Sequence, residues 1–191
     1  MNNKNIVIKN VLNNDQLINL TSIINNGIQK QDSWQEWIKD FPKNEKGEKL
    51  NTNETLFIHK KELGRIVLHN LKIPQNIIDR LTLLINESGF KGYKYSDSTS
   101  YFEYNGLFGN PKLPGHKDHT ETDFTVHLDY QIKSNTDWNI NVEGFDYLLK
   151  DNEGLIFMGK EQEHSRPFKK FNDGEFVNIV LFRFIKQERQ T

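Results

Sequence analysis

The sequence contains no cysteine. This absence excludes disulfides, thiolate metal sites and cysteine nucleophiles, and it leaves the redox compartment unspecified. Long apolar runs are missing as well, since no stretch approaches the roughly 18 residues that a membrane-spanning helix needs. The first residues lack the apolar segment of a signal peptide. We therefore expect a cytoplasmic protein that does not associate with membranes.

An excess of charge of either sign is also lacking. The chain has 25 basic and 26 acidic residues, which gives a formal net charge of −1. Such a balance provides no overall attraction to nucleic acid, and we predict no nucleic-acid partner. Neither a glycine-rich phosphate loop nor a serine triad is evident. With 191 residues and 35% hydrophobic content, residues 1–191 should form a single domain.

The first half of the chain has the pattern of a strand followed by helices. Residues 6–12 are short and β-branched, which predicts a strand. Residues 13–16 supply a helix N-cap, and apolar residues then recur at helical spacing over 17–24. A second amphipathic helix is predicted after Pro74. Residues 40–55 are polar and predict a loop, and the sequence leaves open whether it closes over a site.

After Gly92 the pattern changes to short β-type runs that are separated by turn residues. The clearest run is 123–132, where apolar and polar residues alternate. If its apolar face packs on the core, His127 and Asp129 face solvent or line the mouth of a cavity. The other runs span residues 99–104, 145–149, 154–158 and 176–182. We predict the α+β class, with helical support from residues 1–95 and a jelly-roll, or double-stranded β-helix, core over residues 96–187.

Two separated segments, residues 115–118 and 163–166, together offer two imidazoles and one carboxylate. Residues i and i+2 of an extended strand point to the same side, so His116 and Asp118 can bind one ion. His164 follows after enough chain for several antiparallel strands. Three protein ligands on one face of a metal leave the opposite face open, a pattern that favours non-haem Fe(II) and oxygen chemistry.

The chain from about residue 101 to 185 resembles the Fe(II)/2-oxoglutarate-dependent oxygenases of the prolyl-4-hydroxylase-like type. The resemblance rests on the tyrosine-rich run 101–104, the Leu-Pro-Gly-His-Lys-Asp segment 113–118, and residues 154–168, where an aromatic-rich strand leads to a histidine and then Arg-Pro-Phe. It implies that His116, Asp118 and His164 are the catalytic iron ligands. It also implies that 2-oxoglutarate and O2 are co-substrates.

In that family a basic residue binds the distal carboxylate of 2-oxoglutarate, usually on the strand after the distal histidine. The corresponding window here, residues 173–177, contains no Lys or Arg. Arg166 is the preferred replacement, because it shares the face of His164 in a regular strand. Arg183 on the last strand is the next candidate. A guanidinium suits the role because its fork meets a carboxylate through two hydrogen bonds.

Three further residues are candidates for binding the co-substrate. Tyr104 resembles the tyrosine with which the family hydrogen-bonds 2-oxoglutarate. Asn178 and Thr125 are weaker candidates for lining the pocket. Asn178 and Arg183 fall on opposite faces of the last strand, so Arg183 points away from the site if Asn178 points into it.

Other ligand sets remain possible on the sequence alone. His127 and Asp129 form a second His-x-Asp pair, but His116 and Asp118 follow the Pro-Gly turn where the family's first ligand lies. A cupin-like cluster of His116, His119 and Glu121 is a third possibility.

The resemblance implies hydroxylation of a C–H bond in a peptidyl, prolyl-like or small-molecule substrate, with release of succinate and CO2. One alternative is a non-catalytic jelly-roll module that binds a small molecule. Another is a cupin-type metalloenzyme that does not use 2-oxoglutarate. The sequence specifies neither the primary substrate nor the oligomeric state.

Overall fold

A computed structural model describes residues 5–32, 56–59, 64–69, 71–106, 111–118 and 124–187 of the chain. The predicted loop at 40–55 lies outside these residues, as do His119 and Glu121 of the cupin-like alternative. Within the described residues, none of the helices has the length and apolar character needed to cross a membrane.

The described residues form two helices and eleven strands. In chain order these are β1 (Ile6–Lys9), α1 (Asn14–Asp32), β2 (Leu56–His59), β3 (Arg65–His69), α2 (Gln75–Glu87), β4 (Tyr93–Asn105), β5 (Leu113–His116), β6 (Phe124–Ser134), β7 (Ile140–Val142), β8 (Phe145–Tyr147), β9 (Glu153–Phe157), β10 (His164–Arg166) and β11 (Phe176–Lys186).

The strands build two antiparallel sheets. The larger sheet has the order β1-β9-β6-β11-β4-β3-β2, and the smaller has the order β5-β10-β7-β8. Leu155 and Phe157 of the larger sheet pack against Ile140 and Val142 of the smaller one. This is the predicted double-stranded β-helix of the α+β class, and the fold prediction is confirmed.

The two helices cover the outer face of the larger sheet. Helix α1 starts with a reciprocal cap, in which the backbone N–H groups of Asn13 and Gln16 each donate to the other residue's side chain. Helix α2 buries residues at helical spacing, namely Ile77, Leu81, Leu84 and Ile85. Each buried side chain of this size contributes about 1.5–3 kcal/mol. The helices therefore hold the sheet through one apolar layer with Val126, Leu128, Tyr130, Val180, Phe182 and Phe184.

Both faces of β6 are buried. The polar face predicted to meet solvent or a cavity mouth lies in the interior between the two sheets, where His127 is 0% exposed and Asp129 is 8% exposed. Exposure of this face to solvent is therefore a wrong expectation. The alternation of side chains is as predicted, but the smaller sheet covers the face that the sequence pattern leaves polar.

Two strands of the larger sheet, β2 and β3, are not predicted by the sequence pattern. Strand β3 pairs with β4, and Arg65 lies opposite Tyr104 in that ladder. Strand β4 begins at Tyr93, earlier than the predicted run at 99–104, because β11 continues to pair with it as far as Lys186. The larger sheet thus extends sideways beyond β4 and adds residues to its inner face.

Candidate metal centre and the surrounding cavity

Three predicted ligands meet at one edge of the smaller sheet. His116 ends β5 and lies directly opposite His164, the first residue of β10. Asp118 Oδ1 is 3.7 Å from His116 Nε2 and 3.9 Å from His164 Nε2. One ligand atom from each residue lies within 4.8 Å of the other two. The antiparallel pairing therefore brings together side chains that are far apart in sequence.

Hydrogen bonds fix both histidines with Nε2 directed at the cluster. His116 Nδ1 is 2.8 Å from the carbonyl oxygen of Pro114, and His164 Nδ1 is 3.1 Å from that of Gln162. A carbonyl oxygen accepts, so each Nδ1 carries the proton and donates. In the neutral ring this tautomer leaves the lone pair of each Nε2 free to bind a metal.

The environment favours the protonation states that metal binding needs. Burial lowers the pKa of His164, which keeps this imidazole neutral at neutral pH. The side chains of His116 and Asp118 are 40% and 25% exposed, whereas that of His164 is 6% exposed. The cluster is therefore closed on the side of β10 and open on the side of β5. Two neutral nitrogens and one carboxylate suit Fe(II) with open positions.

A fourth side chain, His127 of β6, lies against the same carboxylate. Its Nε2 is 3.0 Å from Asp118 Oδ2, although neither ring nitrogen has hydrogen-bond geometry to a partner. Burial lowers the pKa of His127 well below its usual value, so the ring is neutral. Asp118 thus presents one oxygen to the two predicted histidine ligands and the other to His127.

Comparisons with known proteins give the fold a wider context. No protein-family model matches the sequence, and no curated protein matches it significantly. Solved structures do match. A prolyl-4-hydroxylase from Pseudomonas putida aligns with 98% of this chain and 94% of its own, at 12% identity and a TM-score of 0.59. A 2OG-Fe(II) oxygenase family oxidoreductase from Burkholderia pseudomallei aligns with 98% and 88%, at 9% identity and a TM-score of 0.57.

A third match is SnoN, a non-haem α-ketoglutarate-dependent epimerase from nogalamycin biosynthesis. It aligns with 96% of this chain and 78% of its own, at 6% identity and a TM-score of 0.63. The chain has the fold of the Fe(II)/2-oxoglutarate-dependent oxygenases. The resemblance seen in the sequence is thereby confirmed at the level of the fold.

The second His-x-Asp pair does not form a ligand set in this oxygenase fold. Asp129 Oδ1 is 3.1 Å from a guanidinium nitrogen of Arg166, so this carboxylate is engaged in an ion pair. Among the described residues, His116, Asp118 and His164 are the group placed to hold a metal ion. The geometry therefore favours the first pair over His127 and Asp129.

Arg166 lies inside the barrel, two residues beyond His164 as the sequence suggests. Its side chain is 1% exposed, and that of Asp129 is 11% exposed. The guanidinium also donates to the carbonyl oxygen of Trp138 and lies 5.1 Å from the centre of the Trp138 ring. The charge of this candidate anchor is thus already balanced by a buried carboxylate.

Arg183 belongs to the inner face of β11 and lies beside the cluster. It is opposite His127 in the ladder between β11 and β6, and it donates to the hydroxyls of Ser98 and Ser100. Burial lowers the pKa of its guanidinium, while the charge of Asp118 acts in the opposite direction. The arginine is therefore placed next to His127 and close to Asp118.

Asn178 and Thr125, the two weaker candidates for lining the co-substrate pocket, lie on opposite faces of the larger sheet. Asn178 shares a face of β11 with Val180 and Phe182, which pack in the outer apolar layer under the helices. Thr125 precedes His127 by two residues and shares its inner face. The structure thus places Arg183 and Thr125 on the face of the sheet that carries His127, and Asn178 on the opposite face.

Tyr104 lies in a buried apolar cluster with Trp138, and its neighbour Arg65 is a residue that the sequence did not single out. Tyr104 is 2% exposed and packs edge-on against Trp138, with ring centres 4.6 Å apart. Its hydroxyl accepts a hydrogen bond of 2.9 Å from Arg65. Only the pairing of β3 with β4 reveals this contact, since the run around Arg65 has no motif of its own.

Gly159 lets His127 approach Asp118. The backbone N–H of Asp118 donates to the carbonyl oxygen of Gly159, and a Cβ on Gly159 would overlap the imidazole of His127. We expect Gly159→Ala to reduce the free energy of unfolding by about 1–3 kcal/mol. Since groups around metal ligands typically contribute 10–100-fold to affinity, Fe(II) affinity should fall by about that factor.

Gly154→Ala is the matched control for that variant. A Cβ there would lie 2.6 Å from Leu128 Cδ1, on the helix-covered side of the sheet. It should cost stability without changing Fe(II) affinity. Denaturant unfolding and anaerobic Fe(II) titration of both variants measure the two effects. Equal Fe(II) affinities in the two variants would contradict the role given to His127.

Proposed function

We propose that the protein is a non-haem iron oxygenase that uses 2-oxoglutarate and O2 to oxidise a C–H bond. The observation that carries this proposal is the convergence of His116 Nε2 and His164 Nε2 on one oxygen of Asp118. The fold, shared with the 2OG-Fe(II) oxygenases, supports it. Bound Fe(II) would supply open coordination positions at which 2-oxoglutarate and O2 can react.

The chain's own residues would hold and orient the ion. His116 and His164 are fixed by backbone carbonyls, so their rings need no reorientation when the metal binds. His127 Nε2 lies 3.0 Å from the second oxygen of Asp118, which leaves the first for the metal. The more exposed side of the cluster, at His116 and Asp118, is the side from which a substrate can approach. The buried side at His164 keeps water away.

The substrate class is proposed from the fold and charge rather than from a substrate-shaped pocket. The prolyl-4-hydroxylase match supports hydroxylation of a peptidyl, prolyl-like residue. The match to SnoN, described as an epimerase from nogalamycin biosynthesis, supports a small-molecule substrate as the other possibility within the proposal. The near-zero net charge supports a partner other than nucleic acid.

Turnover of the co-substrate tests the proposal without knowledge of the primary substrate. Purified protein with Fe(II), ascorbate and 2-oxoglutarate should form succinate slowly and consume O2 in step with it. A chelator should stop the reaction, and Zn(II) should fail to restore it, because zinc has no redox chemistry. Succinate that forms equally without protein would refute the proposal.

The cupin-type alternative has one observation in its favour. The window 173–177 lacks a basic residue, and its Val177 is fully buried in an apolar cluster with Tyr104 and Trp138. A protein that binds Fe(II) tightly but neither binds nor consumes 2-oxoglutarate would establish that alternative. A protein that binds no metal would support the non-catalytic binding module instead.

A further inference from the structure

Arg65 carries a charge that nothing in the described part of the chain balances. Its guanidinium donates one hydrogen bond, to the Tyr104 hydroxyl, and lies over the rings of Phe102 and Tyr104 at 4.9 and 5.7 Å. Its Nε is buried and makes no hydrogen bond. Arg65 as a whole is partly buried, but its Nε is shielded from solvent, and a ligand that accepts from it would satisfy this donor.

The position of Arg65 in the sheet connects it to the missing basic residue. Arg65 lies opposite Tyr104 on one side of β4, and Val177 lies opposite Tyr104 on the other side. Directly opposite residues on neighbouring strands point to the same face. Val177 falls in the window where the resemblance leads us to expect a basic residue. Arg65 on β3 therefore places a guanidinium level with Val177, which lies two strands away on β11.

A chain of side-chain contacts joins Tyr104 to the strand that carries His164. Tyr104 packs against Trp138, and Trp138 in turn lies under the guanidinium of Arg166, two residues beyond His164. Along the inner face of β4, Ser100 contacts Arg183 near Asp118, and Tyr104 follows four residues later. At about 3.3 Å per residue, the position of Arg65 opposite Tyr104 is roughly 13 Å along the strand from Ser100. The Arg65 side chain shortens this distance, because its guanidinium lies over the ring of Phe102.

The two other arginines near the cluster, Arg166 and Arg183, are less suited to a second carboxylate. Arg166 already forms a buried ion pair with Asp129. Arg183 lies at the metal end, hydrogen-bonded to two serines and close to Asp118. At Arg166 an added carboxylate would compete with Asp129. At Arg183 it would lie beside the carboxylate of Asp118. At Arg65 it would meet an unbalanced positive charge.

We propose that Arg65, with the Tyr104 hydroxyl, binds the distal carboxylate of 2-oxoglutarate in place of a basic residue on β11. Because the Tyr104 oxygen accepts from Arg65, its own proton is available to the carboxylate. The buried Nε and a terminal nitrogen of Arg65 offer the two parallel donors that a carboxylate matches. The inference rests on the proposed function, and it names the residues that select a dicarboxylic 2-oxo acid.

The test compares two 2-oxo acids of equal length. Both 2-oxoglutarate and 2-oxopentanoate offer the same chelating end, but only 2-oxoglutarate has the distal carboxylate. Dissociation constants are measured anaerobically with Fe(II), from the visible absorption of the chelate, in wild type and in Arg65→Gln. Since a charged hydrogen bond contributes about 1.5–3 kcal/mol, Arg65→Gln should weaken 2-oxoglutarate binding by about 10–100-fold. It should leave 2-oxopentanoate binding unchanged.

Control variants separate ligand binding from folding. Arg80→Gln removes an arginine that donates to the Val11 carbonyl, away from the cavity, and should change neither constant. Arg65→Gln should unfold close to the wild-type temperature, because it removes an unpaired charge together with one hydrogen bond and two ring contacts. Arg65→Lys should retain part of the preference for 2-oxoglutarate, since it keeps the charge and loses the fork.

The following results would overturn the inference about Arg65. Unchanged 2-oxoglutarate affinity in Arg65→Gln would overturn the inference, and so would equal weakening of both acids, because that would indicate a change of site shape. A chelate that forms in wild type but shows no preference for 2-oxoglutarate would overturn it while leaving the proposed function standing. If wild type forms no chelate with either acid, the proposed function fails first and the inference fails with it.

Discussion

Replacing Arg166 with leucine should reduce the free energy of unfolding by about 3–5 kcal/mol. The substitution leaves the carboxylate of Asp129 buried without its cation, and breaking a buried ion pair from one side typically costs that much. The pair is 3.1 Å apart, with side chains 1% and 11% exposed, so solvent compensates little of the loss. Denaturant unfolding of wild type and variant measures the difference.

The double variant Arg166→Leu with Asp129→Leu is the matched control. Replacing both partners with apolar groups removes the unpaired charge, and such replacements are often neutral or stabilising. We therefore expect most of the lost stability to return. A single variant that keeps its stability but loses 2-oxoglutarate affinity would contradict this account and would make Arg166 the anchor of the co-substrate.

Replacing Asp118 with asparagine should reduce Fe(II) affinity by more than about 100-fold, since groups around the ligands alone contribute 10–100-fold. The substitution keeps the size of the side chain and removes the carboxylate that both histidines face, which is the proposed anionic ligand. It also places a neutral amide next to His127 Nε2. Anaerobic Fe(II) titration measures the affinity.

Glu163→Gln is the control for removal of a carboxylate near the cluster. Glu163 precedes His164 but is exposed, and its backbone N–H is held by the side chain of Glu143. This variant should bind Fe(II) as wild type does. If Asp118→Asn binds Fe(II) with wild-type affinity, or if both variants lose it equally, Asp118 is not the anionic ligand.

Much of the site could be predicted because its determinants are local. The spacing of His116 and Asp118 and the strand position of His164 depend on the period of an extended chain. The fold class followed from the change of pattern after Gly92. Likewise, Arg166 is buried on the same face of β10 as His164, as the alternation of a strand predicts.

The remaining features depend on pairings that the sequence does not reveal. The sequence allows Asp129 as a ligand, but its partner Arg166 lies on the other sheet. The polar side of β6 is buried because a second sheet covers it, a tertiary effect that alternation cannot show. Arg65 comes from a strand without a sequence signal, and its contact with Tyr104 depends on the register of β3 against β4.

The most direct test of the central claim is the anaerobic visible spectrum of the wild-type protein with Fe(II) and 2-oxoglutarate, recorded alongside Asp118→Asn. The account predicts a weak chelate band in wild type that saturates at one Fe(II) and one 2-oxoglutarate per chain, and no band in the variant. A wild-type protein that binds Fe(II) but shows no band with 2-oxoglutarate would contradict it, as would a variant whose band equals that of wild type.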